Sequence, residues 1–191
     1  MRKSRKEAAE TRQRIVEAAS EEFRRNGIDT TGLSELMSAA GLTHGGFYKH
    51  FESKEKVVAE SIAFGIESMI DAWSRTLSSA PPKLALQTAI TEYLSTNHRD
   101  DVASGCPFSA LGSEMARNKN SVREAATAGF LKMVDLIAGQ LSGMTRAAAR
   151  KEALWIFSTM MGAVVMARVV TDPEISESIL REARKHLVRP S

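Results

Sequence analysis

Residues 43–54 hold the densest run of groups able to do chemistry: Thr43, His44, Gly45, Gly46, Tyr48, Lys49, His50 and Lys54. Hydroxyl, imidazole, phenol and ammonium groups gathered this closely suit phosphate oxygens and base edges. Thr31 and Thr43 each precede a short segment with helical periodicity, so each is expected to cap a helix. Gly45 and Gly46 carry no side chain, so the backbone there can approach a duplex. They are also poor helix formers, a local cost that packing of Phe47 and Phe51 must offset. A second chemical candidate is Cys106, in Ser104-Gly105-Cys106-Pro107-Phe108, shortly after His98-Arg99. A thiol at a helix start beside basic groups is expected to have a lowered pKa and to react as thiolate. The competing reading is a small buried residue. With His98 as base it would be the nucleophile of a cysteine-dependent helical hydrolase, but no orienting third group or oxyanion hole stands at recognisable spacing. The expectation is therefore a protein that is not an enzyme.

The chain has 191 residues, 43% hydrophobic and 26% charged, and one cysteine. Those values exclude a wholly disordered chain, a collagen-like chain and a polytopic membrane protein. One cysteine excludes an intramolecular disulfide framework and a multi-cysteine zinc site; neither a metal nor a cofactor is expected. The formal net charge is only +3, but it is unevenly placed. Residues 1–14 contain Arg2, Lys3, Arg5, Lys6, Arg12 and Arg14 against Glu7 and Glu10. A basic arm before a helix fits a nucleic-acid footprint or a solubilising tail. No apolar stretch follows it, so it does not read as a secretory signal, and the expected location is the cytoplasm.

The elements that must position these groups read as all helix. Ile15, Ala19 and Phe23 share a face of a first helix over 7–26, which Gly27 ends. Short helices over 32–40 and 44–51 follow, with Leu33, Leu36, Met37, Phe47 and Phe51 inward. Ser53 caps a long fourth helix with the stripe Val58, Ile62, Ile66, Met69 and Trp73, stopped by Pro81-Pro82. Further helices are expected over 84–97, 108–117, from a Ser121/Glu124 capping box to 141, and from Thr145 to 171. Asp172-Pro173 starts a last one, with Ile175, Ile179, Ala183 and Leu187 on one side. The stretch 153–170 is almost wholly apolar but contains Arg168, Ser158 and Thr159. It reads as a helix–helix interface rather than a membrane span, and it predicts a homodimer through the last two helices.

Two short helices joined by a tight turn at Gly41-Leu42 have the form of a helix-turn-helix, whose second helix enters the DNA major groove. Residues 30–58 then resemble the TetR/AcrR family of bacterial transcriptional regulators. The resemblance rests on Ala40-Gly41-Leu42, on Phe47-Tyr48-Lys49-His50-Phe51 and on Ser53-Lys54-Glu55, and with the preceding helix covers about residues 8–60. It implies an all-α fold of about nine helices, with a three-helix DNA-binding domain over 1–53 and a ligand-sensing, dimerising domain over 54–191. It also implies a homodimer on a palindromic double-stranded operator, released by a small-molecule inducer. By position, Tyr48 is expected at a base or the backbone. His50 and Lys54, together with Thr31 and Thr43, are expected at phosphates. Gly45 and Lys49 are expected nearest the base edges, and His44 among the DNA contacts. Where other members often carry a bulkier polar residue, this chain has His44 and two glycines, so shape readout is expected to share the task.

In the larger domain the expected pocket wall combines Ile66, Met69, Trp73, Tyr93, Cys106, Phe108, Phe130, Met133 and Trp155. The Gly105-Cys106 pair resembles one in a branch of the family that answers electrophiles and oxidants. The competing function is a helical dimerisation module that does not bind DNA.

Overall fold

Ile15, Ala19 and Phe23, four apart, are all fully buried. They lie on one face of α1 (Arg5–Asn26) in a computed structural model that describes residues 5–188. Arg2 and Lys3 of the basic arm lie outside the described residues. α2 (Leu33–Ala39), a 3₁₀ helix (His44–Lys49) and α3 (Lys54–Ser79) complete the N-terminal part. Then come α4 (Ala85–Tyr93), α5 (Thr96–Asp100), α6 (Pro107–Arg117), α7 (Asn120–Ala138), α8 (Arg146–Val169) and α9 (Pro173–Leu187). The expected all-helical class is what the described residues show: nine α-helices, one 3₁₀ helix and no strand.

Two apolar cores meet along α3. The first joins Phe23, Leu36, Met37, Phe47, Phe51 and Val58 and continues into Leu111, Met115, Val122 and Ala126 of α6 and α7. The second joins Trp73, Tyr93, Met133, Phe157, Val164 and Leu180. Met69, Ile70 and Phe108 pack against both. The N-terminal helices are thus not an isolated unit: their core is shared with α6 and α7. Gly129 lets α7 approach α3 so closely that a Cβ there would lie 2.5 Å from Ile66 Cγ2.

Several local expectations need correction. Thr31 does not cap α2; Gly32 occupies the N-cap position, and the buried Thr31 hydroxyl donates to the Gly27 carbonyl at 2.6 Å. The same carbonyl, in the turn just after α1, also accepts the Thr31 main-chain N–H. The segment over 44–51 is 3₁₀ rather than α, a form usual for such short pieces. The expected helix over 84–97 breaks at Leu94, because His98 Nδ1 takes the Tyr93 carbonyl at 2.7 Å and Ser95 caps the separate α5. The Ser121/Glu124 capping box is absent: Lys119 is the N-cap residue of α7, and the Ser121 hydroxyl donates to Glu55 instead. Ile175 is 52% exposed, so α9 packs through Leu180 and Ser176 rather than through it. The caps at Ser53, Thr145 and Asp172 form as expected. At Gly41 (φ +70°), Gly41 N–H donates to Ser38 and Leu42 N–H to Met37. That pairing is the Schellman closure of α2 and makes the tight turn.

Candidate nucleic-acid interface and cleft

Phe47 is fully buried and fixes the orientation of its neighbours. Its ring stacks on Phe51 at 5.7 Å and meets Tyr48 edge-on at 5.2 Å. The register that buries Phe47 turns the next two residues outward: Tyr48 is 69% exposed, and Lys49 is exposed too. Thr43 and His44 are exposed at the start of the same 3₁₀ helix, where His44 Nδ1 lies 3.2 Å from the Ser34 hydroxyl. The Thr43 hydroxyl makes no capping bond. Gly45 is exposed, with open space where a Cβ would stand. Thr43, His44, Gly45, Tyr48 and Lys49 therefore lie on one short outward-facing segment.

Of the three other expected DNA contacts, Thr31 is buried and Lys54 and His50 are half-buried. Thr31 is wholly buried, which takes its hydroxyl away from any phosphate. Lys54 donates from Nζ to the Ile28 carbonyl at 2.6 Å and lies 6.0 Å from the centre of the Phe23 ring. His50 is half-buried, and its carbonyl accepts from Arg12 Nε at 3.3 Å. Arg12 also pairs with Glu60 and lies over the Phe51 ring at 4.4 Å. This arm residue braces the fold as well as adding charge.

The Ile28 peptide is clamped from both sides. Its carbonyl accepts from Lys54, and its N–H donates to the Glu114 carboxylate at 2.6 Å. Glu55 receives Lys119 and Ser121, a second tie between the start of α3 and α7. The bonds to Glu114, whose acceptor carries a full charge, are of the stronger class. They link the turn before α2 to α6.

A cleft of about 220 Å³ runs along α3 and brings together Met69, Trp73, Tyr93 and Cys106. A second cavity of about 320 Å³, between α6 and α7, is lined by Phe108 and Phe130. Ile66 and Met133 are fully buried in the cores and line neither. Trp155 lies outside both as well: it is 45% exposed on the outer face of α8, because Ile156 and Phe157 take the inward positions. Spacing missed Arg24, which is only 8% exposed and lines the cleft. The signal was there, since Val16, Ser20 and Arg24 recur every four residues beside the Ile15-Ala19-Phe23 stripe.

Cys106 differs from its expectation. It is 1% exposed at the N-cap of α6, and burial pushes its thiol pKa up; hydrogen bonds around it oppose that only in part. Desolvation outweighs the helix terminus, so the thiol stays protonated at neutral pH. His98 is committed elsewhere. Its Nδ1 binds the Tyr93 carbonyl, and its Nε2 accepts the Cys106 main-chain N–H at 3.1 Å. This arrangement fixes one neutral tautomer, and burial lowers the pKa although the bond to the Tyr93 carbonyl opposes it. Neither ring nitrogen is left to act as base on the thiol.

α8 is the one described helix long and apolar enough to cross a membrane, and 39% of its most apolar window is buried. Its inner face packs on α7 and α9. Leu154, Trp155, Val165, Met166 and Val169 form an exposed apolar stripe on the other side, continued by Ile175 of α9.

The chain is similar to known bacterial transcriptional regulators in both its N-terminal and its C-terminal part. Residues 15–60 match the family model for bacterial regulatory proteins of the tetR family. Residues 82–186 match that for the transcriptional regulator LmrA/YxaF-like C-terminal domain. The HTH-type transcriptional regulator AcrR of Shigella flexneri is 42% identical over 59 residues, 31% of this chain and 27% of that protein. The HTH-type transcriptional repressor BepR of Brucella suis is 44% identical over 54 residues, 28% of this chain and 26% of that protein. The chain thus spans about a quarter of the length of these curated relatives. A TetR transcriptional regulator from Chloroflexus aurantiacus superposes with a TM-score of 0.76 at 26% identity, covering 95% of this chain and 94% of that one. The reduced form of E. coli NemR superposes with a TM-score of 0.78 at 20% identity, covering 94% and 95%.

Proposed function

Because this chain belongs to the TetR family of bacterial transcriptional regulators, we propose that it is a repressor that binds a palindromic operator as a homodimer. A small ligand entering the α3 cleft releases it. The observation that carries the reading is the outward display of Tyr48 and Lys49 on a segment anchored by a buried Phe47. The Tyr48 ring touches Phe47 but its side chain is largely exposed, and a donor at that position suits a base edge or phosphate. The BepR relative, named a repressor, supports the direction of control. Residues 1–53 form the DNA-binding part and 54–191 the sensing part in this reading. His44, Gly45, Tyr48 and Lys49 face the groove, and Thr43 meets a phosphate.

The dimer forms through the exposed apolar stripe of α8 and α9. Its two recognition segments stand about 34–36 Å apart, one helical turn of DNA. Ligand control needs a coupling of about 1–3 kcal/mol, a 5–150-fold change in affinity. The route runs from the cleft through α6 and the Glu114 clamp to the turn before α2. Cys106 serves as a neutral wall of the cleft, so reversible binding is favoured over attack by a thiolate. The chain acts in the cytoplasm, where its DNA is.

The test is nuclease protection of the DNA upstream of this protein's own gene. A protected palindrome and a steep salt slope are expected. Lys49→Ala should reduce that slope by about two, one for each protomer, and Tyr48→Ala should weaken binding while the protein stays folded. Full affinity in both variants at moderate salt refutes the assignment of the interface.

A further inference from the structure

We propose that the ligand of the α3 cleft is a small amphipathic carboxylate, its carboxylate held by Arg24 and its apolar part lying between Met69 and Trp73. This rests on the reading of the cleft as the ligand site. Arg24 belongs to α1, yet its guanidinium lines the cleft and is 8% exposed. It sits on bare backbone: a Cβ on Gly65 would lie 2.5 Å from Arg24 Nη1. A guanidinium has five N–H donors. Two are used, by the Ala103 carbonyl and by the Ser20 hydroxyl at 2.6 Å.

Both partners are neutral, and among the described residues no carboxylate oxygen stands within 4 Å of Arg24. Glu21 and Asp101 act on it only at longer range, and burial lowers its pKa. A buried cation without a counter-ion is costly, and buried charges are ordinarily paired. An entering carboxylate supplies the missing partner, and a fork of donors matches its geometry.

The rest of the cleft sets the shape of the ligand. Gly65, Met69 and Trp73 follow one another by single turns of α3, so the apolar wall begins about 6 Å from the guanidinium and extends to about 12 Å. Glu92 lies on the exposed far rim, hydrogen-bonded to Thr76 Oγ1 at 2.8 Å. Its charge turns an anion toward the Arg24 end. The cavity, about 220 Å³, falls below the range of about 300–1,000 Å³ usual for drug-sized ligands. One ring or a short chain fits. Since Arg24 is part of α1 and also holds the Ala103 carbonyl, an anion drawing on its guanidinium acts directly on the DNA-binding part.

Titration calorimetry of the full chain with 4-phenylbutanoate and with its neutral isostere 4-phenylbutanamide tests this. The acid should bind at least tenfold more tightly than the amide, and the preference should vanish in Arg24→Gln. Arg24→Lys, which keeps the charge without the fork, should retain part of it. If Arg24→Gln does not fold, the acid–amide comparison in the unaltered protein decides alone. Equal binding of the two probes, or binding of neither, overturns the proposal. Nuclease protection without either probe is read separately. Failure there removes the repressor reading while a tenfold acid preference still establishes the anion site.

Discussion

Replacing Gly129 by alanine tests how tightly α7 is pressed against α3, the helix that links the two cores. In an open helix interior this change stabilises, by up to about 1 kcal/mol, because alanine is the better helix former. At Gly129 the added Cβ would stand 2.5 Å from Ile66 Cγ2, 2.9 Å from Cδ1 and 3.1 Å from Cβ. Ile66 is fully buried and β-branched, so it has little rotamer freedom with which to yield. Overpacking of this kind costs about 1–3 kcal/mol. The net expectation is a loss of up to about 2 kcal/mol. Gly112 provides the control, since it lies inside α6 and nothing stands within 4 Å of its Cβ position. Gly112→Ala should therefore stabilise, so the same substitution is expected to act with opposite sign in two helices.

The assay is urea unfolding at one fixed protein concentration, since association shifts apparent stability. Ile66→Ala alone should cost about 2–5 kcal/mol, but about 1–2 kcal/mol less when Gly129→Ala is present, because the clash is then relieved. Ile66→Val keeps Cγ2, the nearest atom, and should give little relief. A Gly129→Ala protein as stable as Gly112→Ala, with additive effects of Ile66→Ala, refutes the close contact.

Two further outcomes follow from single groups. His98 has its pKa lowered chiefly by burial, against an ordinary value of about 6.5. The folded state therefore binds fewer protons than the unfolded one. The stability from the neutral ring is complete above about pH 6.5 and is lost as pH falls below it toward the folded-state pKa. Melting temperatures from pH 7.5 to 5 should fall more steeply for the wild type than for His98→Gln; parallel curves would count against burial of a neutral His98 ring. Glu114→Ala removes the acceptor of the Ile28 and Asp29 N–H groups. It should cost about 1.5–3 kcal/mol and speed hydrogen exchange at those two amides, whereas Glu114→Gln should cost less. Unchanged exchange at both amides would show that the clamp is not formed in solution.

The helical class, the order of the long helices and the outward segment at Tyr48-Lys49 were legible in the residues, because they follow from local rules. Periodicity assigns inner and outer faces, and Gly41, Ser53, Pro81 and Asp172 mark ends wherever they occur. What failed were details that depend on a partner distant in sequence. Ser121 had the right spacing for a capping box, yet Glu55, 66 residues away in sequence, took its hydroxyl. Trp155 had the character of a pocket wall, yet its neighbours claimed the inward face of α8.

The same division holds for the chemistry. A thiol near basic residues and a helix start reads as activated, but how far a group is withdrawn from water is not encoded locally. Only packing revealed that burial dominates at Cys106. Arg24 shows the converse: its spacing placed it beside the core while its charge argued for solvent. The sequence alone settled which groups each helix could offer, because helix geometry is short-range. The tertiary structure decided which of them are desolvated, paired or left facing a cavity, because those depend on chains of atoms meeting from far apart.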